Sequence, residues 1–432
     1  MTPSARLSAA IEILDAIAAE RRPAADALKE WGLKHRFAGS GDRAAIAALV
    51  YDALRVKASS AFIMGAETGR ALVLGMLKRT RHFTADGIAA LCSGERFAPE
   101  PLSSEERAAL EHDNLAEAPA HVLGDYPSWL DPLFASAFGE ARAAELAAMT
   151  ERAPVDLRVN TLKIDVDAVE RELAHHHVRK TDIAPTGLRI ALRDDGRAPA
   201  IQSDPAFLKG HVEVQDEGSQ LVAQLCAPDT SMQVIDLCAG GGGKTLALAA
   251  LMNNHGQIFA TDSDTRRLAP IYDRLDRAGV RNVQVRSPKG KGDDPVSDLE
   301  GKADLVVVDA PCTGTGTWRR NPDAKWRVRP GALEQRQKEQ AAVLDRAAGL
   351  VKKGGRIAYI TCSLLPLEND DAVQGFLARH PGFALEAVDD VARRAGLGAL
   401  AHHRSIGGQG ILLTPLRTKT DGFFFASLLR TV

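Results

Sequence analysis

Residues 303–327 read ADLVVVDAPCTGTGTWRRNPDAKWR, and residues 354–370 read GGRIAYITCSLLPLEND. Each stretch begins with a short apolar run, Leu305–Val308 and Ile357–Ile360, and each run ends in a cysteine-bearing turn, Asp309-Ala310-Pro311-Cys312 and Thr361-Cys362-Ser363. Runs rich in β-branched residues and without alternation predict strands buried on both faces, as in a parallel sheet. In an open α/β sheet the functional crevice lies beyond the carboxyl ends of the strands, which is where both thiols would then emerge. Two thiols delivered to one crevice, one of them close to an aspartate, point to covalent chemistry on an electrophilic carbon.

The rest of the chain is consistent with such a domain and adds others. A length of 432 residues favours two or three domains. The composition, 45% hydrophobic and 25% charged, is that of a soluble globular protein, and the net charge of −2 means that any nucleic acid must be met by a local basic patch. No apolar run approaches a membrane span, and the amino-terminal MTPSARLSAAIEILDAIAAERRP has the acidic residues and polar breaks of a helix rather than a signal peptide. The five cysteines are scattered, odd in number and without a CxxC pair. Reduced thiols in a cytoplasm are therefore expected, with no metal site, and the chain is expected to be a monomer.

From Ala5 to about His121 apolar residues recur at helical spacing, as in Leu7, Ile11, Leu14 and Ile17, and Ser40 or Asp42 would cap an amphipathic helix ending near Arg55. A helical bundle over residues 1–130 is expected, serving either to stabilise the chain or to bind RNA. Residues 131–210 read as a small α+β (RRM-like) domain containing the strand VDLRVNTLK, in which Arg158, Asn160 and Lys163 would face either phosphates or solvent. Over residues 211–432 strands and helices alternate: VIDL, QIFATD, NVQV, the two cysteine-bearing strands, and a closing pair made by ILLTP and DGFFFASLL, with Phe423–Phe425 in the core. This predicts a Rossmann-like domain with a mostly parallel, doubly wound sheet.

The glycine-rich turn after VIDL does not have phosphate-loop spacing, because counting back from Gly243-Lys244-Thr245 puts Cys238 where the first glycine belongs. It is an equally poor dinucleotide fingerprint, since Thr245 falls at the third glycine position. What remains is a turn that lets backbone approach a ligand at a helix start, followed about twenty residues later by an acid, Asp262, placed to accept ribose hydroxyls. A nucleoside without polyphosphate fits, and S-adenosylmethionine is one.

With these pieces placed, the chain resembles the Fmu/Sun family of RNA cytosine carbon-5 methyltransferases. DLCAGGGGKT is similar to that family's DxCAAPGGKT loop, DAPCTGTGTWRRNPDAKWR to DxPCSGxGxxRRxPdxkW, and YITCSLLPLEND to YxTCSxxxxEN. VQDEGSQLVA, LRVNTLK and DGFFFA also match, and SGDRAAIAALVYDALR resembles the NusB-like RNA-binding domain of bacterial members. The resemblance implies a cofactor, S-adenosylmethionine, held by Cys238, Ala239, Gly240, Gly241, Gly242, Gly243, Lys244, Asp262 and Asp309. It implies an RNA partner, small-subunit rRNA by preference and tRNA as the alternative. One position departs from the family: the third-strand turn VRSPKGKGDD has Ser287 or Pro288 where an acid usually holds the adenine end, so either Asp293 or Asp294 substitutes from the longer loop or the adenine is held less tightly.

Carbon 5 of cytosine accepts a methyl group only after a thiolate adds to carbon 6 and turns the ring into an enamine. The resemblance implies that Cys362 is this nucleophile, that Cys312 assists product release, that Asp309 bonds the base and that Lys244 orients it or activates the thiol. A reversed assignment, with Cys312 as nucleophile, is the arrangement of DNA cytosine methyltransferases. The target base must be unpaired or flipped. Arg319, Arg320, Lys325, Arg327 and Arg329, beside Trp318 and Trp326, are expected to contact phosphate. A member of another class, an idle RNA-binding or ribosome-assembly protein of the same fold, would share everything except the chemistry.

Overall fold

Leu305, Val306, Val307 and Val308 have no solvent exposure, because their strand runs through the middle of a sheet covered on both faces. In a computed structural model, which describes residues 1–112, 115–192, 199–290 and 292–432, two sheets form. Strands Val155–Val159 (β1), Arg179–Lys180 (β2), Gly187–Ile190 (β3) and Val212–Val214 (β4) pair in the order β2-β3-β1-β4, with every pairing antiparallel. The larger sheet comprises Gln233–Asp236 (β5), Gln257–Ala260 (β6), Val283–Val285 (β7), Ala303–Asp309 (β8), Val351–Thr361 (β9), Phe383–Leu385 (β10), Ile411–Leu413 (β11) and Phe423–Arg430 (β12). Its order is β10-β12-β9-β8-β5-β6-β7, with β11 paired to the start of β12. The strands β7, β6, β5, β8 and β9 are mutually parallel, whereas β12 returns antiparallel along β9.

Alternation along the strands assigns the two faces. Leu305 and Val307 on β8, with Ala358 and Ile360 on β9, share one apolar cluster with Leu221 and Leu225 of helix Glu217–Leu225, Leu248 of helix Gly243–Leu251 and Val391 of helix Val388–Arg394. The opposite face of β8 and β9 lies under helix Pro330–Leu350. Phe423, Phe424 and Phe425 are buried, as their apolar run suggests, and β11 and β12 form the closing pair. The mostly parallel sheet expected from the sequence is present.

By compactness the chain divides into Met1–Arg152 with Trp318–Val328, and Ala153–Thr317 with Arg329–Val432. The first unit is helical, and its core gathers Leu7, Ile13, Trp31, Ile46, Leu49, Leu72 and Leu77. Thr2, Thr68, Thr84 and Ser103 cap helices, Ser103 within a capping box completed by Glu106. The helix at Ser40–Arg55 starts differently from expectation: Gly39 takes the cap position without a side-chain bond, and Asp42 binds the Met1 ammonium at 3.1 Å and Arg6 Nε at 2.9 Å. Among the described residues no helix is long and apolar enough to cross a membrane.

Several residues that suggested an RNA-facing surface are structural, whereas Arg320, Arg327 and Arg329 of the basic cluster are exposed. Arg158 is buried and donates to Gln215 at 2.7 Å, Asn160 donates to the Gly210 and Ala278 carbonyls, and Lys163 donates to the Lys209 and Arg277 carbonyls. Of the basic cluster, Arg319 and Lys325 are buried and Trp318 is 1% exposed, all within the helical unit. Trp318 meets Phe134 edge-on at 5.9 Å, Lys325 Nζ donates to the Arg55 carbonyl at 2.6 Å and Trp326 Nε1 to that of Leu54 at 2.6 Å. Burial pushes the Lys325 ammonium down to about 7, against the attraction of the buried Asp125 carboxylate. Charge spacing along a chain does not reveal that a segment is threaded into a core. Trp318→Ala is expected to cost the helical unit about 3–5 kcal/mol, as for other fully buried large aromatics, read as a lowered urea midpoint.

Candidate active site

In the order β6-β5-β8-β9 the strand sequence reverses direction at β5, since β6 and β8 lie on opposite sides of it. That is the switch point at which a crevice opens beyond the carboxyl ends. The topology therefore delivers four segments to one edge: the glycine turn after β5, Asp262 after β6, Asp309–Cys312 at the end of β8, and Cys362 immediately after β9.

The glycine turn is held from both sides. Gly242 has φ +83°, and a Cβ there would lie 2.5 Å from Ile271 Cγ1, so only glycine fits. Arg274 donates to the Gly241 carbonyl at 2.6 Å and is itself held by Glu213 at 3.1 Å. Asp262, 2% exposed, accepts the Gly240 N–H at 2.9 Å through one oxygen and the Asp264 N–H at 2.9 Å through the other. Its carboxylate thus shapes the turn before it meets any ligand.

Between this turn and the loop after β7 lies a cleft of about 620 Å³, lined among others by Cys238, Thr261, Asp262, Ser263, Pro288, Asp293, Asp294 and Pro311. Both acids of the longer third-strand loop reach it. Asp294 is paired with Arg346 at 2.7 Å, and Asp293 accepts the Lys289 N–H at 2.7 Å. A Cβ on Gly240, which has φ +49°, would stand 3.9 Å from Asp262 Oδ2, so its bare backbone leaves the space beside that carboxylate open. Acidic acceptors lining a cleft beside the glycine turn suit the hydroxyls and amine of a nucleoside such as S-adenosylmethionine. Of the residues expected to hold it, Cys238 and Asp262 line the cleft, whereas Ala239, Gly240, Gly241, Gly242, Gly243, Lys244 and Asp309 are not among its lining residues.

Lys244 and Asp309 form their own pair, Nζ to Oδ2 at 2.7 Å, with the ammonium 5.2 Å from the centre of the Phe423 ring. Burial works against the Lys244 charge, but Asp309 outweighs it and the ammonium is held above its ordinary value. Cys312 Sγ and Cys362 Sγ are 3.3 Å apart. The contact with Cys362 and then burial push the Cys312 thiol well above its usual range. Cys238 is pushed up by burial, and Cys226, fully buried, up to about 12.

Residues that sequence reasoning quoted but gave no role hold the two thiol turns together. Glu368, fully buried, accepts the Thr313 N–H at 2.8 Å and Gln340 Nε2 at 3.0 Å, and also takes the hydroxyls of Thr313 and Ser363. Asn369 accepts from Thr361 Oγ1 at 2.6 Å and donates to the Ser363 carbonyl at 2.8 Å. Gly316 donates to the Cys362 carbonyl at 2.9 Å and accepts from Gly422 N at 2.7 Å, and a Cβ on Gly316 would collide with the Gly422 backbone. The signal was the Glu-Asn pair inside YITCSLLPLEND, six and seven residues after the cysteine.

A family model described as 16S rRNA methyltransferase RsmB/F matches residues 223–429, and one described as the RsmF/B-like ferredoxin-like domain matches residues 126–193. The probable ribosomal RNA small subunit methyltransferase B of Synechocystis sp. is 33% identical over 334 residues, covering 76% of this chain and 72% of that protein. The ribosomal RNA small subunit methyltransferase B of Sodalis glossinidius is 34% identical over 345 residues, covering 78% and 70%. Among solved structures, PH0851 is similar with a TM-score of 0.70 at 26% identity over 99% of each chain. A methyltransferase homolog protein from Pyrococcus horikoshii gives 0.57 at 26% identity, covering 72% of this chain and 97% of that one.

Beneath the site, Asp236 is fully buried; Thr245 Oγ1 donates to its Oδ2 at 2.7 Å, while Oδ1 has no partner among the described residues. Burial raises this carboxyl from 3.8 to about 7, with the Thr245 bond opposing. The folded protein therefore keeps a proton that the unfolded chain has already lost, and stability falls as pH rises through that window. Asp236→Asn is expected to flatten this fall and to stabilise the protein by roughly 1–3 kcal/mol at pH 8, measured by denaturation at pH 5 and pH 8.

Proposed function

The chain belongs to the RsmB/F family of 16S rRNA methyltransferases, and from that premise we propose that it forms 5-methylcytosine in small-subunit ribosomal RNA through a covalent adduct between Cys362 and the target base. The observation that carries this reading is the 3.3 Å contact between two thiols, beside a part-buried lysine–aspartate pair. A methyltransferase acting on nitrogen or oxygen has no use for paired thiols, whereas addition to a pyrimidine and its reversal call for a nucleophile and a proton carrier.

S-adenosylmethionine, held by Cys238 and Asp262 with Asp293 from the third-strand loop, supplies an electrophilic methyl group. The chain's own residues do the rest. Cys362 Sγ forms a bond to carbon 6, and the ring electrons shift so that carbon 5 becomes nucleophilic. Asp309 takes a hydrogen bond from the exocyclic amine or the protonated ring nitrogen 3, and Lys244 holds Asp309 in place. Release follows once carbon 5 carries the methyl group: a base from solvent takes the hydrogen on carbon 5, the electrons of that bond re-form the 5,6 double bond, the carbon–sulfur bond breaks and the Cys362 sulfur departs as thiolate, to which the Cys312 thiol, 3.3 Å away, donates a hydrogen bond. Glu368 and Asn369 fix the two turns, so they act as positioning residues.

The helical part, read as residues 1–130 and NusB-like, would bind RNA, and the catalytic part would be residues 211–432, with the small α+β part of residues 131–210 between them in the sequence. The names of the relatives favour rRNA over tRNA as the substrate.

Cys362→Ala should reduce methyl transfer to background while leaving S-adenosylmethionine binding intact. Cys312→Ala should still attack, so that a protein–RNA species resistant to denaturing electrophoresis accumulates with cytosine at the target position. The opposite pair of phenotypes would make Cys312 the nucleophile. An absence of labelled methyl transfer to deproteinised or ribosomal small-subunit RNA by the wild-type chain would favour the idle assembly protein.

A further inference from the structure

We infer that the small α+β part holds a divalent zinc-class ion between His175, His176 and Asp204, well away in the sequence from every residue of the methyl-transfer chemistry. His175 and His176 close the short turn Ala174–His176 that follows helix Val166–Glu172, and Asp204 immediately precedes helix Pro205–Leu208. Both imidazoles direct Nε2 at the same oxygen, Asp204 Oδ2, at 2.9 Å and 3.0 Å. The other oxygen, Oδ1, is committed to the Ala206 N–H at 2.8 Å. The three donor atoms lie within 4.8 Å of one another.

A tetrahedral zinc ion, with bonds of about 2.0–2.2 Å, places its ligand atoms about 3.3–3.5 Å apart. The observed spacing needs only a small outward shift of the two rings to admit one. Without an ion, two imidazole N–H groups must share a single carboxylate oxygen; an ion replaces both protons with one charge, and each nitrogen presents a lone pair. Two neutral nitrogens and one carboxylate oxygen make a donor set of the borderline class that zinc prefers, with a fourth position left for water. Asp204 is 7% exposed and anchored by its backbone contact, and the side chain of His175 is 58% exposed, so the site has one fixed wall and an open entrance. The ion would clip the turn at residues 174–176 to the start of the helix at 205, closing the excursion of chain that contains β2 and β3. This is a stabilising site, and it stands independently of the proposed reaction.

The test uses the untagged full-length chain titrated with zinc chloride by calorimetry, and with cobalt chloride followed by absorption. One equivalent of zinc per chain is expected, together with a higher thermal midpoint in its presence. Loss of even an outer partner of a metal ligand costs about 10–100-fold in affinity, so His175→Ala, which removes a ligand from an exposed position, should cost at least as much. His176→Ala should do the same, and Asp204→Asn serves as a third variant if it folds. The cobalt spectrum should lack a thiolate charge-transfer band. Failure of the wild-type chain to bind zinc, unchanged binding in His175→Ala and His176→Ala, or a thiolate band placing the metal on Cys312 and Cys362 would each overturn the assignment.

Discussion

Parallel pairing of β8 with β9 is the constraint on which the site depends. Val306 faces Ile357, Val308 faces Tyr359 and Asp309 faces Ile360. Because the two strands run the same way and end within one residue of register, the turns that follow them emerge side by side. Two cysteines fifty residues apart in sequence thereby come within hydrogen-bonding distance. A slip of one residue would turn every side chain to the opposite face and send the apolar positions of β8 out of the core. The same apolar burial that stabilises the sheet therefore sets the distance between the thiols.

Register alone would leave the turns free to splay, and the buried Glu368 prevents this. Its carboxylate reaches the backbone and hydroxyl of Thr313 on one turn and the hydroxyl of Ser363 on the other. Tyr359, inside β9, donates to the Glu368 carbonyl at 2.6 Å. A fully buried polar group is costly unless its lone pairs are filled, and here protein donors fill them. This cost ties the geometry of the thiols to the integrity of the network: removing any donor would leave a buried acceptor unpaired.

Much of this was legible in the chain because period and punctuation carry it. Unbroken β-branched runs marked β8 and β9, and the glycine turn and Asp262 marked the ends of β5 and β6. The aromatic run at Phe423–Phe425 read as core, and so it is. What was not legible came from long-range contacts. Arg158 on β1, with Asn160 and Lys163 in the turn beyond it, read as a strand facing phosphates or solvent, yet they bind carbonyls and an amide contributed by segments far along the chain. Lys325 looked like one of several cations meeting phosphate, and its partner, the Arg55 carbonyl, is 270 residues away. The Asp262 carboxylate was correctly placed at a strand end, but its hold on the Gly240 and Asp264 amides depends on a turn conformation that residue types do not dictate.

The segment Trp318–Val328 belongs to the helical unit although the residues on either side of it belong to the other. The two units are therefore not modules joined by a single linker. A fragment ending at Arg152 would lack the indole that fills the space beside Phe134 and the ammonium that meets the Arg55 carbonyl, and it would carry an apolar hollow in their place. Grafting the helical part onto another enzyme would require that enzyme to supply a matching strand of chain from within its own sequence. Inheritance of the two parts is thus coupled: a drift in the groove that receives Trp318 selects for a compensating change more than 150 residues downstream, a few positions from the Cys312 turn.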